Sequence, residues 1–311
     1  MSDPALSNAA RSNAAQFNTV VAIDHLSRSF GSRLALVDVT QRIDRGLVFG
    51  LVGENGAGKT TLIRHMLGLL KPTHGSVSVF GLDPVRDPVG VLGRIGYLSE
   101  DRDLPEWMTV AQLMRYNQAF YPRWDERFAD ELRDQFDLDP NQQIKRLSRG
   151  QRARAGLLIA LAHRPELLIL DEPSSGLDPV VRGDILTAII RTVADEGRTV
   201  IFSSHLLDEV ERVADRVTLL HQGRVALSAP LAEILGSHRR LVLRFEAPQP
   251  QQPDLPGVLS CQGEGREWTV LCNGRLEELR ACVKRAPAEI VEEETPSLDE
   301  IFIALAKSPR P

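Results

Sequence analysis

Short apolar runs that stop abruptly at polar residues recur along the first two-thirds of the chain. Leu47-Val48-Phe49-Gly50-Leu51-Val52, Leu167-Leu168-Ile169-Leu170 and Thr199-Val200-Ile201-Phe202 contain no charged residue and do not alternate with polar ones. Runs of this kind predict strands covered on both faces, as in a parallel sheet. They lead respectively into Gly53, into Asp171-Glu172 and into Ser203-Ser204-His205. In an open parallel sheet, ligands bind beyond the carboxyl ends of the strands. Three distant pieces of sequence are therefore expected to deliver polar groups to one edge.

Helical periodicity fills the intervals. A helix is predicted from Thr60 to Leu70, stopping at Lys71-Pro72. Asp178-Pro179 reads as an N-cap followed by proline at the first helical position. The helix it opens carries Val181, Ile185, Ile189 and Val193 on one face and ends near Gly197. Between about residues 101 and 140, Trp107, Leu113, Met114, Phe120, Phe128, Leu132 and Phe136 recur at helical spacing among charges, which predicts a helical insertion. This aromatic stripe is expected in the core, with an exposed part near Trp107 to Tyr116 as a candidate partner surface.

Beyond about Gly236 the character changes. Arg239 to Glu246 reads as a strand, a Pro/Gln-rich stretch follows through Pro256, and Trp268 to Leu271 reads as another strand. Helical patterns run from Arg275 to Arg285 and from Leu298 to Ala306. The expected organisation is a disordered tail over 1–18, a main domain over 19–235 with its helical part at about 101–165, and an α+β accessory domain over 236–311. There is no internal repeat.

Composition adds boundaries. With 42% hydrophobic and 25% charged residues the 311-residue chain has the profile of an ordinary globular protein of roughly two domains. A net charge of -5 argues against a nucleic-acid partner held by bulk basicity, and none is expected. Cys261, Cys272 and Cys282 match no metal-ligand spacing and read as reduced thiols. The best apolar run, Gly156 to Ala162, is hemmed by Arg154 and by His163-Arg164, well short of a membrane span. The N-terminal stretch lacks the apolar centre of a secretory signal, so work at a membrane would require a partner.

The candidate chemistry sits where the strand runs end. Gly53-Glu54-Asn55-Gly56-Ala57-Gly58-Lys59-Thr60 joins an apolar strand to an amphipathic helix. Its glycines let backbone N–H groups approach phosphates, Lys59 supplies a point charge to the β- and γ-phosphates, and the Thr60 hydroxyl suits magnesium. Asp171 and Glu172 adjoin at a strand end and point apart, which suits one to magnesium and the other to the attacking water. Ser148-Arg149-Gly150-Gln151 fits a capping box, and a capped helix N-terminus still carries partial positive charge suited to a γ-phosphate.

Taken together, Gly53 to Thr60, Leu147 to Gln151, Leu167 to Glu172, Ser175-Gly176-Leu177-Asp178 and His205 closely resemble the motifs of ATP-binding subunits of ABC transporters, over about Thr19 to Gln222. The resemblance implies an α/β fold, a P-loop NTPase ABC cassette with a mixed-sheet core and a helical subdomain. It implies ATP and Mg2+ as ligands and hydrolysis as the activity. Gly53, Glu54, Asn55, Gly56, Ala57, Gly58, Lys59, Thr60 and Thr61 would hold the phosphates, and Thr60, Asp171 and Glu100 the metal. Glu172 would act as base, while His205 would contact the γ-phosphate and hold Glu172 and the water. Phe30, ahead of Gly31, falls where the family stacks a ring on adenine, with core packing as the alternative. In the family two copies pair head to tail, so Ser148, Gly150 and Gln151 would serve the opposite copy's nucleotide and Asp178 would couple the two sites. The expected assembly is a homodimer or heterodimer of ATPase subunits bound to separate transmembrane permease subunits, at the cytoplasmic face of the cell membrane.

Two positions depart from the family pattern. Glu100 stands where a glutamine is usual, and Arg149 replaces the first glycine of the signature. A side chain at 149 must turn away from the nucleotide or sit over it as an extra cation. The C-terminal Pro296-Ser297-Leu298-Asp299-Glu300-Ile301-Phe302 resembles the ending of a branch that exports drugs, antibiotics or lipid-linked molecules. The rival class is a soluble ABC ATPase acting on ribosomes or DNA. The translation branch carries two cassettes in one chain and the DNA-repair branch a long coiled coil, and neither fits one loop and an 85-residue-scale gap before Leu147. An inactive regulatory module is disfavoured because Lys59, Glu172 and His205 are all present.

Overall fold

The computed structural model describes residues 18–101, 103–174, 190 and 196–307. The expected N-terminal tail, the segment Ser175 to Asp178 and the helix expected after Pro179 lie outside the described residues. The described chain divides into two compact units, Met1–Leu227 and Ser228–Pro311. The second unit thus starts a few residues ahead of the boundary read at 236.

The first unit holds two sheets. Strand β1 (Thr19–Phe30) pairs antiparallel with β2 (Arg33–Asp44) on one side and with β4 (His74–Val79) on the other. Along β1 Val21 and Ile23 are buried, while Asp24 and His25 both face out where the pairing with β2 shifts register and His25 takes a φ of 48°. The second sheet is built on β3 (Val48–Val52), buried at every position, between β7 (Thr199–Ser204) and β8 (Arg216–His221), parallel to both. β6 (Leu167–Asp171) lies beside β7, β5 (Ile95–Leu98) beside β6, and β9 (Arg224–Pro230) closes the far edge in the order β5-β6-β7-β3-β8-β9. The register decides what meets at the carboxyl edge. Val52 lies opposite Ser204, and Asp171 opposite Ser203. The residues after β3, β6 and β7 therefore emerge side by side.

Helix α1 (Lys59–Met66) follows β3 and ends four residues before the expected Leu70, because Gly68 takes a left-handed backbone and its neighbours form a tight turn. A short α2 (Pro88–Leu92) precedes β5. The insertion consists of α3 (Val110–Gln118) and α4 (Glu126–Gln135), followed by α5 (Arg149–Leu161). Thr109 and Gln112 close a capping box on α3, and Asp125 caps α4. At Gly96 in β5 a Cβ would lie 2.1 Å from the Ala160 carbonyl oxygen, so this glycine lets α5 press directly on the sheet.

The aromatic stripe does not behave as one unit. Leu113, Leu132 and Phe136 are buried, but Phe120 is 63% exposed and meets Tyr116 edge-on at 5.1 Å. Phe120 lies past the C-cap of α3, so the helical phase that buries Leu113 no longer governs it. Trp107 is also exposed.

Glu166, just ahead of β6, gathers three arginines. Arg94 forks onto it through Nε and Nη2 at 2.8 Å each, Arg45 reaches it at 3.2 Å and Arg123 at 3.6 Å. The hydrogen bond from Arg94 chiefly holds the Glu166 carboxyl at a pKa of about 2, below its usual 4.5. A carboxylate held low in the fold stabilises fully above its unfolded value and loses that contribution as pH falls through the folded one. Glu166→Gln is therefore expected to cost about 1–3 kcal/mol at pH 7, and the gap to the parent should close between about pH 4.5 and pH 2. Denaturant unfolding at pH 7 and pH 3 checks this; a gap that stays constant with pH rules it out.

In the second unit, α7 (Leu231–Ser237) leads into β10 (His238–Gln249), which pairs antiparallel with β11 (Val258–Asn273) and with β12 (Ala288–Glu294). Leu241, Leu243, Phe245, Trp268 and Val270 pack against Leu279 and Val283 of α8 (Leu276–Arg285). α9 (Leu298–Lys307) completes the unit. Strand β12 was not visible in the sequence, because in Ala-Glu-Ile-Val-Glu-Glu-Glu only Ala288 and Ile290 reach the core and the rest of the strand is exposed. It is an edge strand whose Glu293 accepts a forked pair of bonds from Arg280 and whose Glu294 pairs with Arg240. Cys261, Cys272 and Cys282 are free thiols.

Candidate functional site

The loop after β3 is shaped by what cannot fit there. A Cβ at Gly53 would stand 2.4 Å from the Leu220 carbonyl oxygen, and one at Gly58 would stand 2.7 Å from the Ala35 carbonyl oxygen. Gly56 and Gly58 take φ of 82° and 111°, which L side chains rarely adopt. The chain can wrap this tightly only without side chains, and the turn aims it into α1 at Lys59. The Lys59 ammonium, buried under the loop, donates to the Gly53 carbonyl oxygen at 2.7 Å and forms an ion pair with Glu172 Oε1 at 3.0 Å.

Glu172 follows β6 with φ 47°, a left-handed conformation that costs a non-glycine residue about 1–3 kcal/mol. That turn separates the two acids. Asp171 Oδ1 accepts a hydrogen bond from the Ser203 hydroxyl at 2.6 Å, and Asp171 also pairs with the Thr60 hydroxyl. Glu172 turns the other way, lying between Lys59 and His205, whose Nδ1 is 2.7 Å from Glu172 Oε2. The Glu172 backbone N–H donates to the same Ser203 hydroxyl, so one serine holds both acids in register.

Burial raises the Asp171 pKa; Ser203, Thr60 and Lys59 pull it back while the Glu172 charge adds to the rise. Asp171 Oδ2 is buried and has no hydrogen-bond partner among the described residues. An acceptor aimed inward beside a threonine hydroxyl suits a magnesium ion carrying its own water, which takes one or two carboxylates plus phosphate oxygens and needs no protein cage. No group of three or more His, Cys, Asp or Glu that could hold a metal ion occurs among the described residues. Glu100 has its pKa raised by partial burial first and then by the charges of Glu172 and Asp171.

Lys59, Thr60, Glu100 and Glu172 border a cleft of 510 Å³ that is also lined by Phe30, Glu54, Asn55, Gly56, Gly58 and Thr61, a volume in the range of small-ligand sites, while Asp171, Ser203 and His205 do not line it. Phe30 is 46% exposed at its mouth, with the Arg28 guanidinium 4.8 Å from its ring centre, so it is not a core residue. Arg33 and Ala35 also line the cleft and were missed. The turn at Gly31 between two strands was the only available signal for them. Ser203 was missed as well, although it stands in the run that led to His205.

Ser148 caps α5 as the sequence implied. Its hydroxyl accepts from the Gln151 N–H at 3.2 Å, and the Gln151 side chain accepts from the Ser148 N–H at 3.0 Å. Ser148 and Arg149 are exposed. Neither Ser148, Gly150 nor Gln151 lines the cleft above Lys59. Asp178 lies outside the described residues.

A family model for the ABC transporter matches residues 36–175. The daunorubicin resistance ATP-binding protein DrrA3 of Streptomyces coeruleorubidus is 32% identical over 94% of this chain and 98% of its own. The bacitracin transport ATP-binding protein BcrA of Bacillus licheniformis is 31% identical over 74% of this chain and 75% of its own. Among solved structures, an ATP-binding subunit of an ABC transporter superposes with a TM-score of 0.64 at 30% identity, covering 70% of this chain and 92% of that one.

Proposed function

The chain belongs to the ATP-binding subunits of ABC transporters, and from that membership we propose that it drives an exporter by closing head to tail on a second ATPase subunit. It is an ATPase with a P-loop ABC cassette fold. The observation that carries the dimer reading is the position of Ser148, Gly150 and Gln151. They form a capped helix N-terminus, exposed at Ser148 and half-buried at Gly150 and Gln151, outside the chain's own phosphate cleft and free to meet the γ-phosphate held by another subunit.

In this reading the loop from Gly53 to Thr61 cradles the phosphates and Phe30 offers its ring to adenine. Glu172 takes a proton from the attacking water, and His205 holds Glu172 from the other side. Thr60 and Asp171 would hold magnesium, with Glu100 beside them; when bound, the ion offsets negative charge on the β- and γ-oxygens. The names of DrrA3 and BcrA speak of daunorubicin resistance and of bacitracin transport for those two proteins, which supports the export reading. No helix among the described residues is long and apolar enough to cross a membrane, so separate permease subunits would supply the path and hold this chain at the cytoplasmic face. A mostly apolar groove between α2 and the α3–α4 corner, lined by Val89, Phe120 and Tyr121 with Arg94 and Arg123, is the surface we assign to the permease.

Ser148→Arg is expected to cut ATP turnover about 10²-fold or more while a single subunit still binds ATP normally. Unchanged turnover, or full turnover by a strictly monomeric preparation, would defeat the dimer reading. Purification from membranes should bring a multi-span partner, whereas ribosomal proteins or DNA would replace transport with the soluble alternative. Glu100→Gln removes a carboxylate beside the metal position and is expected to raise the magnesium concentration needed for half-maximal hydrolysis. Superimposable magnesium titrations of the two proteins would remove Glu100 from the metal site.

A further inference from the structure

A second buried carboxylate lies behind the cleft. Glu209, in the first turn of α6 (Leu207–Val213), is 8% exposed and lines no part of the nucleotide cleft. Its Oε2 accepts hydrogen bonds from the Ser174 hydroxyl at 2.8 Å and from the Ser204 hydroxyl at 3.1 Å. Its Oε1 is buried with no hydrogen-bond partner among the described residues, and no cation pairs with it there. The Ser204 hydroxyl in turn accepts the Leu206 N–H at 3.0 Å, which folds the turn that carries His205.

A buried carboxylate without a cation is a costly way to fill space, and an apolar side chain would fill it better. What the carboxylate supplies is one acceptor shared by two hydroxyls on different segments. Ser174 stands two residues after Glu172, and Ser204 stands one residue before His205. The Ser174–Glu209–Ser204 bridge therefore straps the chain leaving Glu172 to the chain entering His205. On the opposite side the Glu172 N–H and Ser203 already join the same two strands.

We propose that Glu209 is a positioning residue that sets the distance between Glu172 and His205 through Ser174 and Ser204. The proposal rests on the reading of Glu172 and His205 given above. It explains how a glutamate in a strained left-handed turn keeps a 2.7 Å contact with a half-exposed histidine 33 residues away. Misplacing reacting groups by about 1 Å costs up to about 10²-fold in rate without changing what binds.

The test compares Glu209→Ala, Glu209→Gln, Ser174→Ala and His205→Ala in the full chain, reading kcat, ATP Kd and the thermal midpoint. Glu209→Ala should lower kcat about 10- to 100-fold with Kd within twofold, and Ser174→Ala should follow in the same direction. Glu209→Gln keeps an oxygen able to accept both hydroxyls and should recover most of the rate. In the His205→Ala background, Glu209→Ala should add little further loss, because both act on Glu172. If Glu209→Ala does not fold, Ser174→Ala and the glutamine variant carry the test. Full additivity with His205→Ala, or a loss in Kd instead of kcat, overturns the positioning role. A His205→Ala variant with normal kcat overturns the site reading itself.

Discussion

Replacing Glu172 by glutamine is expected to lower ATP turnover about 10²- to 10⁴-fold while ATP still binds. The amide keeps the volume of a buried residue and still presents an oxygen to His205, so the fold and the cleft should persist at lower stability, since the Lys59 charge loses its partner. What it loses is the ability to take a proton. Geometry singles out Glu172 over Asp171 for that task. Asp171 is engaged by two hydroxyls, from Ser203 and Thr60, whereas Glu172 reaches into the cleft beside Lys59 with His205 behind it. Steady-state turnover together with equilibrium nucleotide binding decides the matter. Turnover near the parent's would mean that another group accepts the proton.

The second large effect concerns Lys59. Lys59→Met should weaken ATP binding about 10- to 100-fold, the loss of one charge-assisted contact of about 1.5–3 kcal/mol. It should also destabilise the protein, because removing one member of a buried ion pair leaves the other charge without its partner. Lys59 is moreover one of the groups that restrains the burial-raised pKa of Asp171, so both acids lose a neighbour. The combination Lys59→Met with Glu172→Gln removes both charges and is expected to regain part of that stability, though not ATP binding. Unfolding midpoints and nucleotide titrations of the two single variants and the double variant test this. A double variant less stable than either single one contradicts the ion-pair account.

Parts of the site are legible in the linear chain, each for a physical reason. The glycine loop is legible because each glycine answers a local demand. Without them the backbone cannot pass Leu220 and Ala35 or adopt a left-handed turn. The buried strands are legible because a sheet covered on both faces leaves an unbroken apolar run. The capping box at Ser148 and Gln151 is legible because its partners are three residues apart. Where the physical cause was not local, the sequence was silent. Phe120 shared the spacing of buried aromatics and came out exposed, since a helix end interrupts the phase. In strand β12 only Ala288 and Ile290 meet the core, too short a pattern to read, and the strand forms because β10 offers it a partner edge.

The sequence by itself determined the order of the elements, the phosphate loop, the acidic strand end and the family to which they point, because each depends on residues within a turn or a strand of one another. The tertiary structure alone decided that Glu172 lies between Lys59 and His205, that Ser203 holds both acids, that Phe30 stands at the mouth of the cleft and that Glu209 bridges two serines. The contacts among Lys59, Asp171, Glu172, Ser203 and His205 follow from the parallel register that sets Asp171 opposite Ser203 and Val52 opposite Ser204. A slip of one residue between β6 and β7 would turn Asp171 and Ser203 to opposite faces. Strands separated by tens of residues carry no periodicity that records how they align; packing of the whole sheet settles it.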